Sequence, residues 1–193
     1  MNILTIDFDW IMSDIIECYN DNIETNSDYE EMWADIKRRM PTLNYNPNMI
    51  LFKEVEKLCA IFHDRLYKIK SHEEVVKYVP PDCDILINMD HHHDWYKASD
   101  RPSDYGCGNW GRYLYDRKMI KQFIWIPNPT SHSLGIFDDR SKDLRVALGD
   151  PMETIRRYKF DRCILCQSPE WLPPEVNDFW DMWTSTLDFV NEK

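Results

Sequence analysis

Glycine is scarce: the 193 residues include only five. No internal repeat or low-complexity tract appears either, so nothing reads as a linker and one domain over residues 1–193 is expected. A chain of that length can bury a sizeable core. Also missing are a basic opening followed by an apolar run and any apolar stretch near the ~20 residues that cross a bilayer. The expectation is a soluble, cytoplasmic protein with no membrane partner. Positive charge is in deficit, with 23 Lys and Arg against 34 Asp and Glu and a formal net charge of −11. That balance argues against a nucleic acid partner and favours a cationic one.

Six cysteines (Cys18, Cys59, Cys83, Cys107, Cys163 and Cys166) are too thinly spread for a disulfide scaffold, so they are read as thiols. Cys163 and Cys166 form a C-x-x-C, but "RCILCQS" reads as a buried strand. Two core cysteines are expected there, with no redox or zinc role. Aromatics, by contrast, are plentiful: eight Trp, ten Tyr and eight Phe.

The pattern alternates strands with helices. "MNILTIDFDW" opens as a buried strand that ends near Asp7 to Asp9. "NPNMILFKEVEKLCAIFHDRL" places Ile50, Val55, Leu58, Cys59 and Phe62 at helical spacing, with Asn46 or Asn48 as cap. "LYKIK" is a short strand, and in "SHEEVVKYV" Ser71 and Glu74 have the spacing of a capping box. "PPDCDILINMD" is a loop and a buried strand that ends at Asp90. Then "NWGRYLYDRKMI" reads as helix, "KQFIWIP" as strand, "DPMETIRRY" as short helix, "FDRCILCQ" as strand and "PPEVNDFWDMWTSTLDFVNEK" as closing helix. Such alternation predicts an α/β fold, three-layer α/β/α with a mainly parallel sheet.

The chemistry gathers at strand ends. "DHHHD" contains D-x-H-x-D: Asp90, His92 and Asp94. In an extended segment alternate residues face one way, so these three converge while His91 and His93 point elsewhere. Asp7 and Asp9 of "IDFD" form a second alternating pair, and His72 follows the strand "LYKIK". Four carboxylates and two imidazoles suit Mn²⁺ better than a thiolate-seeking metal. Two Mn²⁺ ions about 3.5–4 Å apart, sharing carboxylates, supply a water-derived nucleophile at neutral pH.

These residues resemble the arginase and deacetylase superfamily. "DHHHD" matches its D-x-H-x-D signature, and "ILTIDFDW" is similar to its second aspartate motif. "YKIKSHEEVVKYV", "ILINMDHHHDW", "GNWGRYLYDRKMIKQFIWIPNP" and "CILCQSPEWLPP" resemble successive segments of ureohydrolase-like proteins, the peptide arginases among them. Those enzymes convert peptidyl arginine to ornithine and urea. The likeness covers the first ten residues and most of the chain beyond about residue 66; residues 11–65 align with nothing in it. "IDFD" comes first here, whereas arginases carry that motif after D-x-H-x-D, an order that resembles circular permutation.

The resemblance implies an arginase-like hydrolase whose partner is an arginine-containing precursor peptide. Its manganese ligands would be Asp7, Asp9, His72, Asp90, His92 and Asp94. His91 and His93 are proton-transfer candidates, and Glu74 is a further catalytic or guanidinium-binding candidate. Glu73, Gln167, Glu170 and Asn109 are substrate-binding candidates.

Each residue also has a plain structural reading. Alone, Asp7 and Asp9 solvate a strand end, His72 follows an N-cap, and Glu74 completes the cap. His63 and His132 are ordinary polar residues, and Trp95 and Tyr96 pack on the core as readily as they wall a site. Only the run Asp90–Asp94 lacks a structural reason to follow an apolar strand. Two competing functions stand beside the hydrolase. "DFDWI" loosely matches an aspartate-nucleophile phosphatase motif and "GDPMET" its magnesium loop, although Ile11 stands where Thr or Val belongs. The other is a non-catalytic, metal-stabilised module that binds basic peptides.

Overall fold

Successive residues of each central strand enter two different cores. In β1 (Asn2–Asp7), Leu4 and Ile6 join one cluster while Ile3 joins the other. The same split divides Ile87 and Met89 from Leu86 in β3 (Cys83–Asp90), and Cys163 and Leu165 from Ile164 and Cys166 in β6 (Arg162–Cys166). Strands apolar on both faces must be covered on both, which is why these segments read as continuous hydrophobic runs. The computed structural model describes residues 1–13, 29–42, 44–96, 105–131 and 144–190.

With β2 (Leu66–Ile69), β4 (Ile120–Pro127) and β5 (Arg145–Val146), these strands form a six-stranded parallel sheet. Its order is β2-β6-β1-β3-β4-β5. One face packs on α2 (Met49–Ile61), α4 (Pro151–Arg156) and α5 (Pro174–Thr184), and the other on α3 (Trp110–Asp116) and a 3-10 helix at His72–Tyr78. The three-layer α/β/α architecture is therefore present. Aromatic packing closes the first core, where Phe8 meets Trp180 at 4.7 Å and stacks on Trp183 at 5.5 Å.

Local chemistry sets the boundaries. Asn48 caps α2, its side chain accepting the Ile50 and Leu51 N–H groups. β1 stops at Asp7, and Phe8–Ile11 turns into a 3-10 helix, so Asp9 does not continue the strand. "SHEEVVKYV" is a 3-10 helix, and α3 ends at Asp116 because Lys118 takes a left-handed conformation (φ 58°) before β4. The last helix stops at Thr184, short of the expected span. Neither β5 nor α1 (Tyr29–Arg39), whose Met32, Trp33 and Ile36 form a small cluster packed with Tyr45 and Trp171, had a counterpart in the sequence reading. No helix among the described residues is long and apolar enough to cross a membrane.

Candidate metal centre

Neighbouring parallel strands bring their carboxyl ends to one edge, and β1 and β3 are neighbours. Asp7 and Asp90 end them, on the face occupied by Ile3 and Leu86. His72 enters from the end of β2. Its Nδ1 lies 3.0 Å from Asp7 Oδ2, 3.1 Å from Asp90 Oδ2 and 3.0 Å from Asp94 Oδ2. On the far side of the ring, Nε2 is 2.9 Å from Thr5 Oγ1.

D-x-H-x-D gathers around Asp90, with Asp94 turned to His72 and His92 turned to Asp9, and strand alternation is not the cause. The chain bends at His91 and His92, and Asp94 adopts φ 51°. Its carbonyl accepts the Gly111 N–H at 3.1 Å, and its Oδ2 accepts the Trp110 indole N–H at 2.6 Å, so α3 holds the turn. A second group forms alongside. His92 Nδ1 is 3.5 Å from Asp9 Oδ2 and 3.9 Å from Asp90 Oδ1. Asp90 therefore belongs to both sets, one oxygen facing each imidazole. Asp7, His72 and Asp90 can hold an ion, and so can Asp9, Asp90 and His92.

The donors fit a cation by two observations. One ring N–H cannot donate to three carboxylates, yet His72 Nδ1 is about equally close to three oxygens. Neighbouring donors on a six-coordinate cation with bonds of about 2.1 Å lie about 3.0 Å apart, which is that spacing. The second is Asp9 Oδ2, a buried carboxylate oxygen with no hydrogen-bond partner among the described residues. Leaving such an atom unpaired is costly unless a charge answers it.

The electrostatics point the same way. Burial, then the charges of Asp7 and Asp90, push the Asp9 carboxyl well above its usual range. Asp94 is also raised well above it, by burial and then by Asp90. Burial would raise Asp90 too, but hydrogen bonds and charge from His72, followed by the charge of His92, outweigh it and hold Asp90 low. Burial opposes protonation of both imidazoles and is likewise outweighed. The carboxylates carry His72 well above its ordinary value and His92 up to about 9, with Asp9 foremost for His92. The raised groups favour protons shared within the cluster, which offset its carboxylate charge.

The other residues singled out in the sequence serve their own surroundings. His91 is buried, its Nε2 3.0 Å from the Met12 carbonyl and its Nδ1 3.4 Å from Ser131 Oγ. Burial lowers it to about 4, which leaves it neutral. His93 Nδ1 accepts the Trp95 N–H at 3.0 Å, and the ring packs on Tyr96 and Trp125. Glu74 accepts from the Ser71 N–H at 3.1 Å and from Lys77 Nζ at 2.9 Å, while Glu73 accepts from Ser71 Oγ. Gln167 donates to Asn177 at 3.0 Å, and Asn109 accepts the Gly106 N–H at 2.9 Å.

Glu170 is buried next to Trp171 in the 3-10 turn Pro169–Trp171, and the Trp171 ring lies 4.8 Å from that of His92. Trp95 packs on Phe123 within the core. Asp150 of "GDPMET" caps α4 by accepting the Met152 N–H and is not part of the cluster. His132 lies outside the described residues.

Four supporting residues escaped the sequence reading. Thr5 meets His72, Asn88 donates to Asp90 Oδ2 at 3.1 Å, Ser168 Oγ donates to Asp7 Oδ2 at 2.5 Å, and Trp110 donates to Asp94. A polar residue inside an otherwise apolar strand, as in "LTID" and "LINMD", was the available signal for Thr5 and Asn88. No family model, curated protein or solved structure matches this chain.

Proposed function

We propose that this chain is a binuclear metal hydrolase that cleaves the guanidinium group of arginine side chains in a peptide, giving ornithine and urea. The carrying observation is the Asp90 carboxylate, shared between a set of His72, Asp7 and Asp94 and a set of His92 and Asp9. An oxygen-rich donor set with two imidazoles and no thiolate favours Mn²⁺. Held by these residues, paired divalent cations would supply a water-derived nucleophile at neutral pH and would offset charge developing at the scissile C–N bond.

The protein's own groups define how a substrate meets this centre. His72, Asp7, Asp90, Asp94 and Asp9 have side chains at most 5% exposed, whereas His92 is 17% exposed. The approach is therefore past His92 and the Trp171 ring beside it. The net charge of −11 favours a cationic side chain over an anionic substrate, which supports a guanidinium against a phosphate ester. In the overall reaction one water adds to the guanidinium carbon, the bond to the side-chain nitrogen breaks, and that nitrogen leaves as the ornithine amine.

The test is manganese content by elemental mass spectrometry after reconstitution, for wild type, His92→Ala and Asp9→Asn, followed by urea release from arginine-containing peptides. Two ions in wild type, fewer in both variants, and urea from a peptide by wild type alone are expected. If Asp9→Asn keeps both ions, Asp9 is no ligand and the proposed second ion set fails. Two ions with no urea from any arginine peptide would return the chain to a metal-stabilised binding module.

A further inference from the structure

The two ligand sets around Asp90 are built unequally. At the His72 set every donor is held from behind by a second group. Thr5 Oγ1 meets the His72 Nε2, Ser168 Oγ binds Asp7 Oδ2, Asn88 Nδ2 binds Asp90 Oδ2, and the Trp110 indole binds Asp94 Oδ2. Thr5, Asn88 and Trp110 are fully buried and Ser168 is 2% exposed. Ser168 reaches Asp7 from a left-handed backbone conformation (φ 48°) that a non-glycine residue adopts at a cost. Its N–H is tied to the Lys70 carbonyl at 3.0 Å, which fixes that loop against the end of β2.

The His92 set has less of this backing: Asp90 Oδ1 accepts the His92 N–H at 2.8 Å, but its other donors are not held by a second side chain among the described residues. Among the described residues Asp9 Oδ2 has no hydrogen-bond partner, and Asp9 Oδ1 meets the His91 N–H only at 3.5 Å. Among the described residues, no side chain outside the carboxylates hydrogen-bonds to the His92 ring, which is positioned by packing on Trp171. The separations from its Nδ1, 3.5 and 3.9 Å, exceed the 3.0–3.1 Å found around His72, so these donors must move inward to share one ion. Donors held in place lose little freedom on binding, and outer partners of this kind are typically worth about 10–100-fold in metal affinity.

We infer that the His72 set takes the first divalent ion tightly and the His92 set takes the second weakly and exchangeably. Thr5, Trp110 and Ser168 act as positioning residues for the first ion only, whereas Asn88 holds the Asp90 carboxylate that both sets share. The inference rests on the binuclear reading of the cluster. A chain at limiting metal would then hold one ion at His72, and loading at His92, the less buried side from which the proposed substrate would approach, would control activity.

The experiment is a titration of metal-free full-length protein with Mn²⁺, followed by calorimetry and by electron paramagnetic resonance. Two events at least tenfold apart are expected, with an isolated Mn²⁺ signal at one equivalent that converts to a spin-coupled signal at two. His92→Ala should abolish the weaker event and leave the tighter one within about threefold, a small fraction of the 10–100-fold that supporting groups provide. Thr5→Val should weaken the tighter event about tenfold, and Thr5→Ser, which keeps the hydroxyl, should restore it. Ser168→Ala provides an independent check on the same event should Thr5→Val fail to fold. Equal affinities, or coupled pairs already dominant at one equivalent, would overturn the inference while leaving a two-ion site intact. Loss of the tighter event in His92→Ala would overturn it by reversing the order. A single event of one ion, or none, would instead remove the binuclear reading on which the inference rests.

Discussion

Thr5 and Asn88 lie opposite one another on neighbouring strands, both fully buried, each two residues before a carboxylate on the same sheet face. Elsewhere those strands place Ile3, Leu4, Ile6, Leu86, Ile87 and Met89 in the core. A hydroxyl and an amide buried there cost stability unless they find partners. Their partners are His72 and Asp90. The sheet accepts polar atoms at this level because the row above it holds charge.

Stability of the metal-free protein should fall as pH rises through neutrality. Folded His92 titrates at about 9 and folded His72 well above its ordinary value, against about 6.5 for an unfolded imidazole. The His92 contribution is complete below about pH 6.5 and is lost as pH climbs through its folded value near 9, and the His72 contribution is lost in the same direction. Asp9 and Asp94, also raised, act in the same direction, because the folded chain retains protons that the unfolded chain has released. Asp90, held low, matters only at acidic pH. Thermal unfolding between pH 6.5 and 9, with and without Mn²⁺, should show a declining midpoint only for the metal-free form. A midpoint that rises with pH in that form would contradict the proton-filled cluster.

The thiols should be inert in the folded protein. Burial, then the charge of Glu56, pushes Cys59 up to about 12, and burial takes Cys83 to about 11. Cys163 and Cys166 are fully buried in β6 and raised well above the ordinary thiol value, chiefly by burial. A thiol needs its thiolate to react. Colorimetric titration of native protein should therefore register no more than Cys107, which is half-buried, and Cys18, which lies outside the described residues. All six should react after denaturation. Modification of Cys163 or Cys166 in the native state would revive a redox role for the C-x-x-C.

The sheet and the ligands were legible for different physical reasons. Strands buried on both faces leave unbroken apolar runs, so β1, β3, β4 and β6 stood out, whereas two-residue β5 leaves no such run. The ligands showed because acids and imidazoles are expensive at the end of an apolar strand. Their supporting residues were harder to see. Ser168 and Trp110 reach Asp7 and Asp94 across 161 and 16 positions of sequence, and only the folded sheet edge brings Ser168 to its partner. Alternation grouped Asp90, His92 and Asp94 as one set, whereas the folded chain divides them: a left-handed turn at Asp94 carries it to His72, and His92 faces Asp9.

That turn makes Gly111 the most sensitive small residue near the centre. A Cβ at Gly111 would lie 2.6 Å from the Phe123 ring and 3.0 Å from the Asp94 carbonyl oxygen, and the Gly111 N–H holds that same carbonyl at 3.1 Å. Phe123 is 3% exposed and packed against Trp95 and Trp110, so it has little room to yield. Gly111→Ala should therefore cost about 1–3 kcal/mol, the usual range for overpacking a filled core. The strain falls on Asp94, so metal retention should suffer as well. Chemical denaturation would read the stability loss, and elemental analysis after dialysis would read the metal. Gly106→Ala, where an added Cβ meets nothing within 4 Å, is the matched control and should leave metal content unchanged. If Gly111→Ala loses stability yet keeps its full metal content, the Asp94 turn tolerates displacement and the His72 set is less rigid than its hydrogen bonds imply.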